Sequence, residues 1–419
     1  MRRNTVLTKE ENERLTRVGP GTPAGELLRR YWHPVAIARE LTDEQPTKFI
    51  RILGEDLVLF KDKGGHVGLI QDHCAHRGAS LLYGRVEQRG ISCAYHGWLY
   101  DTAGNCLETP AEPADSKFHL TVKMKAYPVK KFIGMYWAYL GPLPAPEIPP
   151  YDVWARQDGI RKLAVYPRLD SNWLNPTENS VDPAHLQVLH QEFIGRGKPP
   201  ASTTRGFTDD VRDFTFYETD YGIVKHRTYA NGHEDQHPLI FPNILRQGNA
   251  TQLRVPMDDT HTNVFFVYFL PVEKEGYSDE DPDVIYVPPF KEPPEALHPV
   301  ARFKLEQVLA QDHMAWETQG AIADREHERL ATSDRGITLL RKVLMREMDK
   351  VEQGKDPLGT VRDANHAIIS TFLTESLAEG WYDPAGRGSV DTEKKDDDWF
   401  DPGATAARDA AREGETANV

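Results

Sequence analysis

The sequence of 419 residues contains only three cysteines, too few for a disulfide framework. No apolar run approaches the roughly 20 residues that a membrane-spanning helix needs, and no apolar stretch of a secretory signal follows the basic N-terminus. Positive charge is also scarce, because 50 Lys and Arg face 64 Asp and Glu, for a net charge of −14. These absences predict a reduced, cytoplasmic protein that binds neither a membrane nor nucleic acid.

The length exceeds what one ordinary hydrophobic core covers, so at least two domains are expected. Short β-rich runs extend from about residue 48 to 140, and a KGG turn between two of them predicts a hairpin. The proline-rich stretch GPLPAPEIPPYD then indicates a connection between domains. The second half predicts a strand pair turning at 220–222, a strand in TNVFFVYFLP and a long helix over 299–322.

Two of the three cysteines each stand close before a histidine, in CAH and CAYH. One interpretation is a structural zinc site, in which all four side chains bind one tetrahedral ion. The other is a [2Fe–2S] cluster with two cysteines on one iron and two histidines on the other. The spacing favours the cluster, because two matching loops would each supply one ligand per iron. Gly78 and Gly97 follow the pairs, where a backbone without Cβ can approach the sulfides. The candidate ligands are Cys74, His76, Cys93 and His96.

A second group of candidate ligands lies in ENSVDPAHLQVLH. On a regular helix His185 and His190 would point about 140° apart, so they can share a metal only if the helix ends or distorts between them. The alternative makes Asp182 an N-cap and the histidines ordinary polar residues. Asp312 favours the metal interpretation, because it falls on an apolar helical stripe where an unpaired carboxylate is costly. Two histidines and one carboxylate form the facial triad of non-haem Fe(II) oxygenases.

Glu317 and Asp324 are the competing carboxylates of the second site. Glu317 lies about 140° from Asp312 around the predicted helix, so it is expected to face solvent or a neighbouring subunit.

These motifs resemble those of a known family. CAHRG followed by CAYHGWLYD resembles the two ligand loops of Rieske proteins, without the additional loop cysteines of membrane-bound Rieske subunits; Cys106 is expected to be a core residue. The pattern N-x2-D-x2-H-x4-H ahead of D-x4-E resembles the catalytic signature of Rieske non-haem iron oxygenases. AHRGASL, CAYHGW and QDHMAWETQG are similar to the phthalate 4,5-dioxygenase-like group, which includes chlorobenzoate and phenoxybenzoate oxygenases and lies near the aromatic O-demethylases. The resemblance extends from GPGTPAGELLRRYW to about GITLLRKVL.

The resemblance implies an α+β fold, with an N-terminal Rieske β-sandwich domain and a C-terminal helix-grip catalytic domain of antiparallel sheet and helices. The expected segments are an N-terminal helical part over 1–45, the Rieske domain over 46–145, the catalytic domain over 146–385 and an acidic tail over 386–419. The implied cofactors are a [2Fe–2S] cluster and Fe²⁺. The implied roles are iron ligation by His185, His190 and Asp312, a bridge by Asp182 from His185 to His96 of the partner subunit, and a position beside the iron for Asn179.

The implied function is the oxygenase component of a multicomponent system that takes O2 and electrons from a flavin and [2Fe–2S] reductase. A homotrimer or hexamer is expected, because head-to-tail packing would bring each cluster beside the next subunit's iron. We expect hydroxylation of a carboxylated aromatic substrate, with Arg205, Arg246 and Arg254 as carboxylate partners unless they are surface residues. The alternatives are an O- or N-demethylating or ether-cleaving monooxygenase, a non-catalytic Rieske electron carrier and a zinc-structured binding module.

Overall fold

The computed structural model describes residues 6–190, 211–230, 232, 234–272, 275–294, 301–305 and 307–371. Within them the chain is α+β, as predicted, with four sheets of three or more strands. None of the helices described is both long enough and apolar enough to cross a membrane.

Two short helices precede the first sheet. They are α1 (Lys9–Thr16) and α2 (Pro23–Leu28), and the hydroxyls of Thr8 and Thr22 each accept a backbone N–H from the first turn. The segment predicted as helical also contains a strand, β1 (Trp32–Ile37), which pairs with the last strand of the next part of the chain.

Three sheets make up the first part of the chain, in the orders β1-β11-β10, β2-β3-β4-β9 and β5-β6-β7-β8. Their strands after β1 are β2 (Thr47–Ile52), β3 (Glu55–Lys61), β4 (Val67–Gln71), β5 (Arg85–Glu87), β6 (Gly90–Ser92), β7 (Leu99–Tyr100), β8 (Cys106–Glu108), β9 (Ala126–Tyr127), β10 (Val129–Phe132) and β11 (Met135–Tyr139). The KGG turn joins β3 to β4, which confirms the predicted hairpin. Cys106 is buried in a core cluster, as expected.

An eight-stranded sheet dominates the second part, in the order β13-β14-β15-β16-β17-β18-β12-β19. All its neighbours are antiparallel except β12 and β19. Its strands are β12 (Ile160–Val165), β13 (Val211–Thr219), β14 (Gly222–Tyr229), β15 (Glu234–Ile240), β16 (Ile244–Gln247), β17 (Ala250–Pro256), β18 (Thr262–Leu270) and β19 (Asp283–Tyr286). The other elements are α3 (Asp152–Ala155), α4 (Leu174–Asn179), a small pair β20 (Lys291–Glu292) and β21 (Arg302–Phe303), α5 (Val308–Thr318) and α6 (Arg335–Glu352).

Side chains alternate between the two faces of the eight-stranded sheet. In β17, Leu253 and Val255 belong to the largest hydrophobic core, which also includes Leu340 of α6. Gln252 and Arg254 project from the opposite face and line a cavity together with residues of α5. At β17, one face of the sheet therefore packs into the apolar core, whereas the face towards α5 carries polar side chains.

The structure corrects the predicted helix over 299–322. Helix α5 begins only at Val308, because the backbone of Gln307 is extended and β21 pairs with β20 before it. Apolar residues at helical spacing also occur before Val308, in the segment that contains the strand β21, so the predicted helix was too long. The members of the predicted stripe that remain on the helix are Leu309, Asp312 and Trp316.

The other predicted strands of the second part are confirmed. β13 and β14 pair up to Thr219 and Gly222, where the chain turns, and TNVFFVYFL forms β18. The predicted acidic tail lies outside the described residues, and the predicted domain boundaries stay predictions.

Candidate metal centres and active-site cavity

The two Cys-His loops have the same backbone hydrogen bonds. The N–H of Cys74 donates to Ala79 O, and that of Gly78 donates to Cys74 O at 2.8 Å. Cys93 makes the equivalent pair of bonds with Trp98 and Gly97, at 2.9 Å each. Each loop therefore closes in the same way around its cysteine, as a shared set of ligands requires.

Gly78 and Gly97 have φ values of 75° and 73°, in the left-handed region. A Cβ on Gly78 would meet nothing within 4 Å. The left-handed backbone conformation therefore accounts for glycine at both positions, and the approach of their backbone to the sulfides stays a prediction.

The four candidate cluster ligands meet at the tips of these loops. The thiols of Cys74 and Cys93 are 3% and 2% exposed, whereas His76 is exposed and His96 is partly exposed. The two imidazole rings lie 4.5 Å apart between centroids. Burial raises the pKa of Cys74, although the Tyr100 hydroxyl, 3.2 Å from its sulfur, opposes this shift. Buried sulfurs and outer imidazoles suit a cluster whose cysteine-bound iron lies inside and whose histidine-bound iron lies towards the surface.

The second candidate site depends on a distorted helix. Leu186–His190 forms a π-helical turn, in which hydrogen bonds join residues five apart. His185 and His190 therefore approach each other, with ring centroids at 5.4 Å. This is the distortion that the sequence argument required before the two histidines could share a metal.

Asp312 completes the group from helix α5. One ligand atom from each of His185, His190 and Asp312 lies within 4.8 Å of the others. Asp312 Oδ1 is 3.4 Å from His190 Nε2 and 4.0 Å from His185 Nε2. This buried oxygen accepts no hydrogen bond from the described residues. Two imidazole nitrogens and an unsatisfied carboxylate oxygen fit a mononuclear iron of the facial-triad type.

The protonation of His190 is fixed by Gln311, a residue that the sequence argument missed. Gln311 Nε2 donates to Leu305 O at 2.6 Å, so its Oε1 is the atom 2.8 Å from His190 Nδ1. The imidazole must then donate from Nδ1, so that in the neutral ring the Nε2 lone pair faces Asp312. In the sequence, only the position of Gln311 next to Asp312 could have indicated this role.

Asp182 lies beside His185 Nδ1, as Gln311 lies beside His190 Nδ1. Its Oδ1 accepts the backbone N–H of Ala184 at 2.8 Å, as an N-cap would, and its Oδ2 lies 3.3 Å from His185 Nδ1. The second contact has an ion-pair distance but not hydrogen-bond geometry, since His185 Nδ1 has no hydrogen-bond partner among the described residues. Asp182 therefore caps the helix and also contacts the imidazole of His185.

Charges within the second site influence one another. Burial acts to raise the pKa of Asp312, but His190 and His185 outweigh it, and the pKa lies below its usual value. Burial acts to lower the pKa of His190, but Asp312 and Gln311 hold it above its usual value. A metal ion at this site would therefore compete with a proton for His190.

A cavity of about 530 Å³, partly open to solvent, adjoins the three candidate ligands. Its wall comes from the polar face of the sheet, from helix α5 and from the end of α4. The lining side chains include Asn179, Lys225, Leu245, Gln252, Arg254, Phe266, Leu309 and Trp316. Asn179 therefore lines the same cavity as the three candidate iron ligands, and its position beside the iron stays a prediction.

The predicted carboxylate partners occupy different places. Leu245 and Gln247 of β16 line the cavity, so Arg246 between them projects from the other face, where it pairs with Asp152 at 3.0 Å. The expected substrate contact of Arg246 is thus not supported. Arg254 is buried and lines the cavity, so it is not a surface residue. Arg205 lies outside the described residues.

The competing carboxylates lie outside the second site. Glu317 forms an ion pair with Lys291, which also binds Asp170, and its side chain is 10% exposed, so it does not face solvent; its contact with a subunit stays a prediction. Asp324 is exposed and contacts His327 Nδ1 at 2.8 Å.

Two family models and several relatives match this chain. The Rieske [2Fe–2S] domain family matches residues 31–131, and a family described as LigXa C-terminal domain like matches residues 303–374. The 5,5'-dehydrodivanillate O-demethylase oxygenase subunit of a Sphingobium species is 37% identical over 390 residues, covering 90% of this chain and 89% of the relative. The phthalate 4,5-dioxygenase oxygenase subunit of Pseudomonas putida is 32% identical over 407 residues, covering 88% and 92%.

Solved structures share the fold. An NdmA variant of Pseudomonas putida CBB5, solved with theobromine, has a TM-score of 0.56 and 21% identity, covering 82% of this chain and 98% of that one. The fold and the two sites define a Rieske-type non-haem iron oxygenase, an oxidoreductase with a [2Fe–2S] cluster and an iron ion. The chain belongs to the family of oxygenase subunits that includes phthalate 4,5-dioxygenase and dehydrodivanillate O-demethylase. Such subunits work with O2 and a separate electron-donating protein.

Proposed function

We propose that this chain uses O2 and electrons from a separate reductase to hydroxylate a carboxylated aromatic compound. The observation that carries the proposal is the convergence of His185, His190 and Asp312 beside a cavity of about 530 Å³.

In this proposal His185, His190 and Asp312 bind the iron, which when bound supplies a centre for activating O2. Gln311 keeps a proton on His190 Nδ1, so that Nε2 is available as a ligand. Asp182 orients His185 from the opposite side of the ring. Phe266 and Leu309 provide apolar surface in the cavity for an aromatic ring.

Cys74, His76, Cys93 and His96 hold the cluster in the same proposal. The exposure of the two imidazoles supports electron exit through the histidine side. The Asp182 side chain is 24% exposed, so a neighbouring molecule can reach it. We therefore assign Asp182 as the bridge to His96 of the partner subunit, in a homotrimer or in a hexamer of two trimers. A head-to-tail contact of this kind closes into a ring.

O-demethylation is the second candidate reaction. It is favoured by the 37% identity to an O-demethylase oxygenase subunit over 90% of this chain.

The test measures O2 consumption by the iron- and cluster-loaded protein with a surrogate reductase, on benzoates with and without methoxy groups. Demethylation would release one formaldehyde per O2 consumed, whereas hydroxylation would give a phenol or diol without formaldehyde. Absence of substrate-dependent O2 consumption across aromatic acids and ethers, with both metal sites filled, would contradict the proposed function.

A further inference from the structure

Buried arginines are frequent in the described part of this protein, and all but one have a carboxylate partner. They are Arg29, Arg161, Arg227, Arg246, Arg254, Arg325 and Arg341. Six of them form ion pairs with aspartate or glutamate. Arg254 forms none with any described residue, although its side chain is 0% exposed.

The contacts of Arg254 are with neutral groups. Its Nη1 donates to Ser180 Oγ and its Nη2 donates to Gln252 Oε1. Its guanidinium carbon lies 5.5 Å from the centre of the Trp316 ring. Burial lowers the pKa of Arg254 to about 9, with only the charge of Asp312 opposing this shift. Because Asp312 belongs to the candidate iron site, its charge would be shared with the metal.

Two buried N–H donors in this region have no acceptor among the described residues. They are the Nε–H of Arg254 and the Nε1–H of Trp316. Buried donors normally find a partner, and a buried charge without one is costly. Both residues line the cavity beside His185, His190 and Asp312. A ligand in the cavity can supply the acceptor that the protein does not.

The same wall carries a second basic side chain. Lys225 lines the cavity, is 2% exposed and donates to the backbone carbonyl of Asp182 at 3.2 Å. Burial lowers the pKa of Lys225 to about 7, so at neutral pH the lining carries the charge of Arg254 and part of a charge on Lys225, against the single carboxylate of Asp312. This balance favours an anionic ligand over a neutral one.

We propose that Arg254, assisted by the indole N–H of Trp316, anchors the carboxylate of the substrate in the iron cavity and so determines specificity for aromatic acids. The inference rests on the proposed function and deepens it. A carboxylate offers one acceptor oxygen to each of the two unpartnered donors, the Nε–H of Arg254 and the Nε1–H of Trp316, whereas a phenolate has a single oxygen. The aromatic ring of the substrate then lies between this anchor and the iron ligands.

The test is calorimetric titration of the iron- and cluster-loaded protein with benzoate and with benzamide, its neutral counterpart of the same shape. Wild-type protein is expected to bind benzoate at least about tenfold more tightly, since charge-assisted hydrogen bonds are about twice as strong as neutral ones. Arg254→Gln should remove this preference and leave benzamide affinity within about twofold, because glutamine keeps a donor but no charge.

Arg246→Gln is the matched control, because it changes another buried arginine whose side chain projects from the other face of the sheet. It should lower stability but keep the preference for benzoate. If Arg254→Gln fails to retain iron, Arg254→Lys takes its place. Lysine keeps the charge but lacks the Nε–H of the guanidinium, so the preference should fall at least about threefold.

Equal affinity of the wild-type protein for benzoate and benzamide, or failure to bind benzoate at millimolar concentration, would overturn the proposal. So would tighter binding of phenol than of benzoate. Substrate-dependent O2 consumption without a preference for benzoate would refute the anchor alone. A preference for benzoate that depends on Arg254, without O2 consumption on any aromatic acid, would refute the proposed reaction alone.

Discussion

Asp182→Asn separates the two roles that the structure gives to this residue. Asparagine caps a helix about as well as aspartate, and its Oδ1 can keep the 2.8 Å bond from Ala184 N–H. The contact between Asp182 Oδ2 and His185 Nδ1 at 3.3 Å, in contrast, loses its negative charge. The free energy of unfolding should therefore change by less than about 1 kcal/mol.

Electron transfer should respond very differently. Neither proposed metal site uses Asp182 as a direct ligand, so iron and cluster should both remain bound. Reduction of the cluster by the reductase should be near normal in stopped-flow measurements. Substrate-dependent oxidation of the reduced cluster should slow by about 100-fold, the upper end of what loss of an outer partner of a metal ligand costs.

Asp324→Asn is the matched control for this experiment. Asp324 accepts the N–H of Glu326 and contacts His327 Nδ1, so it repeats the local arrangement of Asp182 on an exposed part of the surface. The control should oxidise its cluster at the wild-type rate. Wild-type oxidation in Asp182→Asn, with both metals present, would refute the bridging role and leave only the cap.

Three further predictions concern the two metal sites and the packing behind them. Cys93→Ala should abolish the visible absorption of the cluster, whereas His190→Ala should keep it and abolish turnover; loss of colour in His190→Ala would contradict separate sites. Gln311→Met should weaken iron binding about tenfold in chelator competition, because it removes the oxygen that accepts the Nδ1–H of His190; unchanged iron affinity would contradict the orienting role of Gln311. Burial acts to raise the pKa of Glu178, but Arg325 and Arg341 outweigh it and hold the pKa below its usual 4.5. The ionised carboxylate therefore stabilises the fold above about pH 4.5, and this stabilisation is lost as the pH falls through the lowered pKa. Glu178→Gln should therefore cost about 3–5 kcal/mol at pH 7 in urea unfolding and less in acid; equal losses at both pH values would count against this ion-pair cluster.

The metal-ligand motifs were readable from the sequence because each relies on short spacing. Cys74 and Cys93 lie in loops with the same hydrogen bonds, which the glycine four residues after each cysteine anticipates. The spacing of His185 and His190 showed only that the helix must end or distort between them if both bind one metal. Whether the helix distorts depends on the packing of the whole site, and the π-helical turn was visible only in the structure.

The predictions that failed concerned the facing of side chains and the bounds of a helix. Arg246 and Arg254 look alike in the sequence, but alternation along β16 and β17 directs the first to Asp152 and the second to the cavity. Helix α5 begins at Val308 because Arg302 and Phe303 before it pair with Lys291 and Glu292 of β20, a strand pairing that helical periodicity does not express. The partner of Glu317, Lys291, lies 26 residues away in the chain.

The most direct test of the whole account is metal and acid-labile sulfide analysis of the purified protein, with EPR of the reduced state. One [2Fe–2S] cluster and one mononuclear iron predict about three irons and about two sulfides per chain, with a Rieske signal on reduction. A folded protein with zinc as its main metal and no acid-labile sulfide would contradict the account.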